Sequence, residues 1–279
     1  MRRVTTVDLP AVEAFLRTRL PLAMFQLSNL DRFGLDGDHA YAPRMWVAER
    51  DGQVSDVLTV ATNGTVMPAL TSGDWQAAAE VLDGMEITAV LGPAQEARPM
   101  MKAAGLDGGE TAIDNDEPQF ALDLAQLVIP DGPGTLRPLA AADRDQMIRW
   151  RADYEIEALG SDAETAEVEG RASYEGYIAA GSHRVLMEGG TALATTGFNA
   201  RLPDAVQIGG VYTPPELRRK GHARRAVALH LEEARDGGAT EATLFAASEN
   251  AARAYIALGF ERIGDWTLCL YRTPQVARA

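Results

Sequence analysis

Five cations crowd one short stretch of this 279-residue chain: Arg218, Arg219, Lys220, Arg224 and Arg225, with Gly221, His222 and Ala223 among them. Residue types of this kind bind an anion that carries several charges, and a pyrophosphate is the natural fit. Gly221 lets the backbone approach such an anion with no Cβ in the way, and small Ala223 keeps the next helical turn open. The stretch lies between an apolar run at 206–213, which reads as a strand, and a helical pattern at 222–235. Pro214 and Pro215 end the strand sharply, because proline cannot belong to a central ladder. A strand that turns through a basic glycine loop into a helix start is a built anion site. The loop amides converge there, and the helix N-terminus adds its partial positive charge.

The rest of the composition narrows the classes. The formal net charge is -14, which argues against nucleic acid or an anionic membrane as the general partner. Residues 1–130 hold 9 basic against 19 acidic side chains, and the remainder hold 17 against 21. The cationic cluster therefore stands out from its background as a small-anion site. One cysteine, Cys269, leaves no internal disulfide and is expected to be a buried strand residue. The four histidines, His39, His183, His222 and His230, lack metal-ligand spacing, so no metal site is expected. No apolar run reaches membrane-spanning length, and the expected location is cytoplasmic.

The loop resembles the acyl-CoA loop of the GNAT superfamily of N-acetyltransferases. Its pattern, Gln/Arg-x-x-Gly-x-Gly/Ala, is filled by Arg218, Gly221 and Ala223. Val211-Tyr212-Thr213-Pro214-Pro215-Glu216-Leu217 leads into it as in that family, and Tyr255, Gly259 and Phe260 are similar to the family's Tyr-x-x-x-Gly-Phe element. The fold class this implies is α+β (mixed α/β), with mostly antiparallel twisted sheets flanked by helices. The implied cofactor is acetyl-CoA.

Two halves echo each other around the turn-rich break 130–134. A short strand and an acidic helix open each half, at 4–7 and 9–19 and again at 136–139 and 142–159. Hairpins follow, turning at Asp51-Gly52 and at Gly189-Gly190. Each half then offers a helix (75–82 or 222–235), a buried strand (87–91 or 242–246) and a last helix ending in Gly-apolar. The expected division is 1–129, a linker at 130–134, and 135–279, as tandem GNAT-like domains with a degenerate first copy. Where the second half has its basic loop, the first has Leu70-Thr71-Ser72-Gly73-Asp74, an acid and no base. Met101 stands where the second half has Tyr255, and Pro99 is expected to interrupt the last helix near its start.

The resemblance also implies roles. The strand at Val211, Tyr212 and Thr213 would hold the pantetheine arm and point an amide at the acyl oxygen, although Val211 also suits plain core. Arg218, Arg219, Lys220, Gly221, His222 and Ala223 would hold the pyrophosphate. Tyr255 would protonate the departing sulfur, with packing on the sheet as the alternative. Asn250 and Ser248 compete for a pantetheine contact, and either serves equally as a helix N-cap. No strand carboxylate offers itself as the base, since Gln207 cannot accept a proton. Glu155 and Glu157, two apart on one helix, cannot both face inward, and a water chain is an equal candidate. The reading is an acyl-CoA-dependent N-acyltransferase acting on a primary amine of a small molecule or protein. The alternative is a non-catalytic acyl-CoA-binding or scaffold protein. Transfer from aminoacyl-tRNA is disfavoured by the negative charge.

Overall fold

The computed structural model describes residues 1–279. Along the chain run β1 (Arg2–Arg3), α1 (Leu9–Arg17), α2 (Leu20–Phe33), β2 (Pro43–Arg50), β3 (Gln53–Ala61), β4 (Thr65–Leu70), α3 (Trp75–Leu82), β5 (Glu86–Pro93), α4 (Ala94–Ala103) and β6 (Thr111–Asp123). They are followed by β7 (Thr135–Pro138), α5 (Arg144–Leu159), α6 (Ala163–Ala180), β8 (His183–Glu188), β9 (Thr191–Arg201), β10 (Ala205–Tyr212), α7 (His222–Asp236), β11 (Glu241–Phe245), α8 (Glu249–Ile256) and β12 (Glu261–Val276). The mixed α/β class and the mostly antiparallel pairing agree with the sequence reading.

The first compact unit comprises Met1–Gln119 and Gly264–Ala279. Its strand order is β1-β2-β3-β4-β5-β12-β6. The β2–β3 hairpin turns through Asp51 and Gly52, both at positive φ (53° and 75°), the twist-compatible geometry that Asp-Gly favours. The β4–β5 pair is parallel and short, limited to Thr65↔Ala89 and Val66↔Val90. Leu58, Leu70, Leu82, Met100 and Met101 pack with Cys269 and Tyr271 of β12 in one core. The Tyr271 hydroxyl donates to Leu106 O at 2.6 Å. Pro99 lies inside α4, and the helix runs through it; the interruption expected there does not occur.

The second unit is Phe120–Ile263, with strand order β7-β8-β9-β10-β11-β6. Gly189 and Gly190, at φ 56° and 84°, turn the β8–β9 hairpin. One core gathers Phe120, Phe198, Val206, Ile208, Leu231 and Phe260 under α7 and α8. A smaller one joins Met147, Trp150, Tyr174, Val185 and Tyr212.

The units part between 119 and 120, not at the expected break 130–134. Leu124 N–H bonds Thr240 O at 2.9 Å and Val128 N–H bonds Leu258 O at 3.0 Å, so this segment belongs to the second unit before the turn-rich stretch begins. The C-terminal residues go to the first unit instead. Trp266 to Val276 pair antiparallel with β5, and Arg278 N–H bonds Ala104 O at 2.8 Å. Two helices, α2 and α6, were not anticipated. The strand expected at 4–7 is the two-residue β1, with only Val4 N–H bonded onward, to Met45 O.

Candidate active site

The strand β10 stays with β11 for three residues only, Ala205–Gln207 against Glu241–Thr243. Beyond Gln207 no ladder joins them, so this edge of β10 has backbone groups unspent by sheet pairing. The cause is visible in the strand itself. Gly210 has φ +60°, and the register against β9 shifts between Gly209 and Tyr212, as a glycine bulge does. Neither glycine has room for a side chain. A Cβ at Gly209 would lie 1.9 Å from Asn199 Nδ2, and one at Gly210 would lie 2.6 Å from His183 Nε2.

After β10, a single 3-10 turn at Pro215–Leu217 leads into Arg218. Arg219 and Gly221 both take positive φ, 66° and 81°, on either side of Lys220. Alternating handedness folds successive N–H groups inward as a nest for an anion. No side chain caps α7, and its first amide to bond back is that of Arg225, to Gly221 O at 3.0 Å. The only atom within 4 Å of a Cβ placed at Gly221 is Arg224 Nη2, at 3.9 Å. The residues therefore fit the pyrophosphate of an acyl-CoA: a nest, an uncapped helix start and open space before them.

Not every cation is available to it. Arg225 holds the 130–134 segment, donating to Pro130 O at 2.6 Å and Pro133 O at 3.1 Å; the expectation that it serves phosphate is corrected. Arg218 donates to Thr213 O at 2.8 Å and pairs with Glu157 Oε2 at 2.6 Å. Arg219 and Lys220 are exposed, and Arg224 is half-buried with its Nε unpaired. His222 is buried and Ala223 half-buried in the first turn of α7. The side chain of Tyr212 turns inward, its ring 6.0 Å from Trp150 and its hydroxyl 3.4 Å from Asp153 Oδ2. Burial, then the charges of Asp153 and Glu157, push that phenol up from its ordinary value. Only the backbone of Tyr212 can line the strand edge. Val211 is half-buried against the α7–α8 core, and Thr213 keeps a buried Oγ1 without a partner.

On α8, Tyr255 is half-buried, 6.0 Å from Phe260 in an edge-on pairing. Ser248 is the N-cap, accepting from Ala251 N–H at 3.2 Å. Asn250 is exposed in the first turn, its carboxamide oxygen bonded by Arg253. The capping task thus falls to Ser248.

Behind β10, between α5, α6 and β8, lies a narrow crevice of about 20 Å³, space for roughly one water. Its walls include Trp150, Arg151, Tyr154, Tyr174, Tyr177 and His183. Glu155 is buried and paired with Arg151 Nη2 at 2.6 Å, while Glu157 is exposed and faces Arg218; as helix geometry requires, the two point apart. Burial raises the Glu155 carboxyl from its usual value, and the Arg151 charge opposes that shift. His183 escaped the sequence reading because its neighbours come from other strands. The aromatic spacings 150/154 and 174/177 were the available signal, since such pairs share a helix face.

The profile of the acetyltransferase (GNAT) family matches residues 144–260, which span α5 to the Gly259-Phe260 pair. This part of the chain belongs to the GNAT family. No curated protein matches the chain by sequence. Among solved structures, a GCN5-related N-acetyltransferase from Sphaerobacter thermophilus is 18% identical with a TM-score of 0.55, covering 96% of this chain and 93% of that one. A GCN5-related N-acetyltransferase from Kribbella flavida is 15% identical with a TM-score of 0.55, covering 91% and 95%. A tandem GNAT protein from the clavulanic acid biosynthesis pathway is 17% identical with a TM-score of 0.50, covering 96% of each chain. These likenesses extend the tandem GNAT fold over the whole chain.

Proposed function

We propose that the chain is an acyl-CoA-dependent N-acyltransferase, with acetyl-CoA as donor and an amine as acceptor. The observation that carries this reading is the unpaired edge of β10 running directly into the uncapped nest at Arg219–Gly221. Bound acetyl-CoA supplies an activated acyl group and a thiolate leaving group. The backbone at Val211 and Thr213 offers amides and carbonyls to the pantetheine arm, and preorganised amides of this kind stabilise a developing oxyanion. Arg219, Lys220 and the first-turn amides of His222 and Ala223 take the phosphates, with Arg218 at the rim. Tyr255 holds a proton for the sulfur, and Asn250 is the pantetheine contact at the start of α8.

Calorimetry with acetyl-CoA on the full chain is expected to give one site per chain. Two equivalent sites, or none, would remove the assignment. Following free thiol with an amine panel separates the two classes of function. Binding without thiol release would favour a non-catalytic acyl-CoA-binding protein, a reading that the absence of a carboxylate on β10 keeps in view.

A further inference from the structure

Arg218 opens the basic loop, yet its side chain is spent on the protein itself. Its Nε donates to Thr213 O at 2.8 Å and its Nη2 pairs with Glu157 Oε2 at 2.6 Å. The guanidinium also lies 5.7 Å from the centroid of the Tyr212 ring, whose hydroxyl meets Asp153 Oδ2 at 3.4 Å. One side chain thus ties together the end of β10, the loop and the last turn of α5. All of these residues belong to the second unit.

These contacts set Arg218 against the task of its own loop. Thr213 O is a carbonyl at the open end of β10, and the guanidinium already answers it. Nε and Nη2 form the edge with which an arginine grips an anion through two parallel bonds, and both are engaged. The next residue is Arg219, whose positive φ starts the nest, and neighbouring Cα atoms are only about 3.8 Å apart. A guanidinium on so long a stem reaches a phosphate in the nest as readily as it reaches α5.

Glu157 has its own need of the pair. It stands in the last turn of α5, which contains no basic residue, and a negative charge there opposes the helix dipole. Arg218 supplies from outside the helix the cation that the turn lacks. The bond is nevertheless easily opened. Its side chains are 42% and 44% exposed, and pairs in water are worth little. An acyl-CoA brings several phosphate charges where Glu157 brings one.

We propose that Glu157 and the phosphates of acyl-CoA compete for Arg218. The ion pair is a self-inhibiting latch, closed in the free protein and opened by the cofactor. Opening it releases Thr213 O to the pantetheine arm and frees the end of α5 from the loop. The proposal rests on the reading of this loop as an acyl-CoA site.

Calorimetry with acetyl-CoA on the full chain tests it through four proteins: wild type, Glu157→Gln, Arg218→Gln and the double variant. Glu157→Gln should tighten acetyl-CoA about two- to fivefold, the scale of an exposed ion pair. In the Arg218→Gln background the same substitution should change nothing. Both side chains lie at the surface, where such substitutions leave the fold intact. A gain that persists without Arg218 is relief of charge repulsion alone, and it overturns the latch. So does unchanged or weaker binding by Glu157→Gln, which makes the pair a fixed strut. Either of these results leaves the acyl-CoA reading standing, whereas failure of the wild type to bind acetyl-CoA removes that reading and the latch with it.

Discussion

The end of β4 and the end of β10 are the same place in two copies of one fold, and they have been finished in opposite ways. Both strands leave a short parallel pairing and run toward a helix. In the first unit, the helix start is capped by an acid: Asp74 accepts from Ala77 N–H at 3.1 Å. The strand end is plugged as well. Glu96 of α4 accepts from Leu70 N–H at 2.7 Å and is paired with Arg19, both side chains being nearly buried. Pro68 fills the gap further, since a Cβ on Gly92 would come within 2.9 Å of its ring. In the second unit, the helix start has a glycine and no cap, and the strand edge has no internal acceptor. The first unit thus keeps the fold while its own carboxylates occupy the amides at this place. These are amides that a ligand would otherwise answer.

That contrast breaks most visibly at Tyr255, whose counterpart Met101 is fully buried core. Tyr255→Phe should lower turnover by about 10²–10⁴-fold with little change in acetyl-CoA affinity, measured by thiol release and calorimetry. An unchanged rate would make Tyr255 a packing residue like Met101. Next in size is the plug. Glu96→Ala leaves the Arg19 charge buried and Leu70 N–H orphaned, so the first unit should lose about 3–5 kcal/mol. Hydrogen exchange at the β4 amides reads this directly, and normal protection there would deny the plug its role.

Paired glycines sharpen the comparison. Gly221→Val forces a β-branched side chain into positive φ, at a strain of about 1–3 kcal/mol, and should weaken acetyl-CoA tenfold or more. Gly73→Val, at φ +76° in the first unit's loop, should leave that affinity alone. Equal effects would mean that the first loop takes part in binding. Acid supplies the last test. His183 in the second unit, buried beside the Arg151 and Arg184 charges, is held neutral down to about pH 3, whereas His39, the histidine of the first unit, is exposed. Between about pH 3 and 6.5 the unfolded chain binds the extra proton, so stability is full above that window and falls as pH drops through it. For His183 the loss from pH 7 to 5 is roughly 2 kcal/mol. Denaturant titrations of His183→Gln should show that much less slope; an unchanged slope would mean that the imidazole protonates freely in the folded state.

Local signals were the legible ones. Asp51-Gly52 and Gly189-Gly190 gave the hairpins because their positive φ is written in residue type, and Gly221 gave the loop for the same reason. What stayed hidden depends on partners far along the chain. Glu96 reads as an ordinary first-turn acid until Leu70 and Arg19 are seen beside it. His183 has no spacing to announce it, because Gly197 and Gly210, which make its seat, lie on two other strands. Arg225 looks like a phosphate ligand by sequence and instead binds the carbonyls of Pro130 and Pro133. Helix α6 is acid-rich and small-residue-rich, with few apolar positions to mark a face.

The C-terminal strand has a consequence for how the molecule is made. Cys269, Tyr271 and Ala277 belong to the core of the first unit, yet they are translated only after all of the second unit, Phe120–Ile263. At roughly 5–20 residues per second, everything from Phe120 to Ile263 emerges between the two pieces of that core, a delay on the order of ten seconds. The unit encoded first is thus completed after the second. Until the residues of β12 have been added, β5 lacks that neighbour and presents an open strand edge of the kind that recruits stray chains.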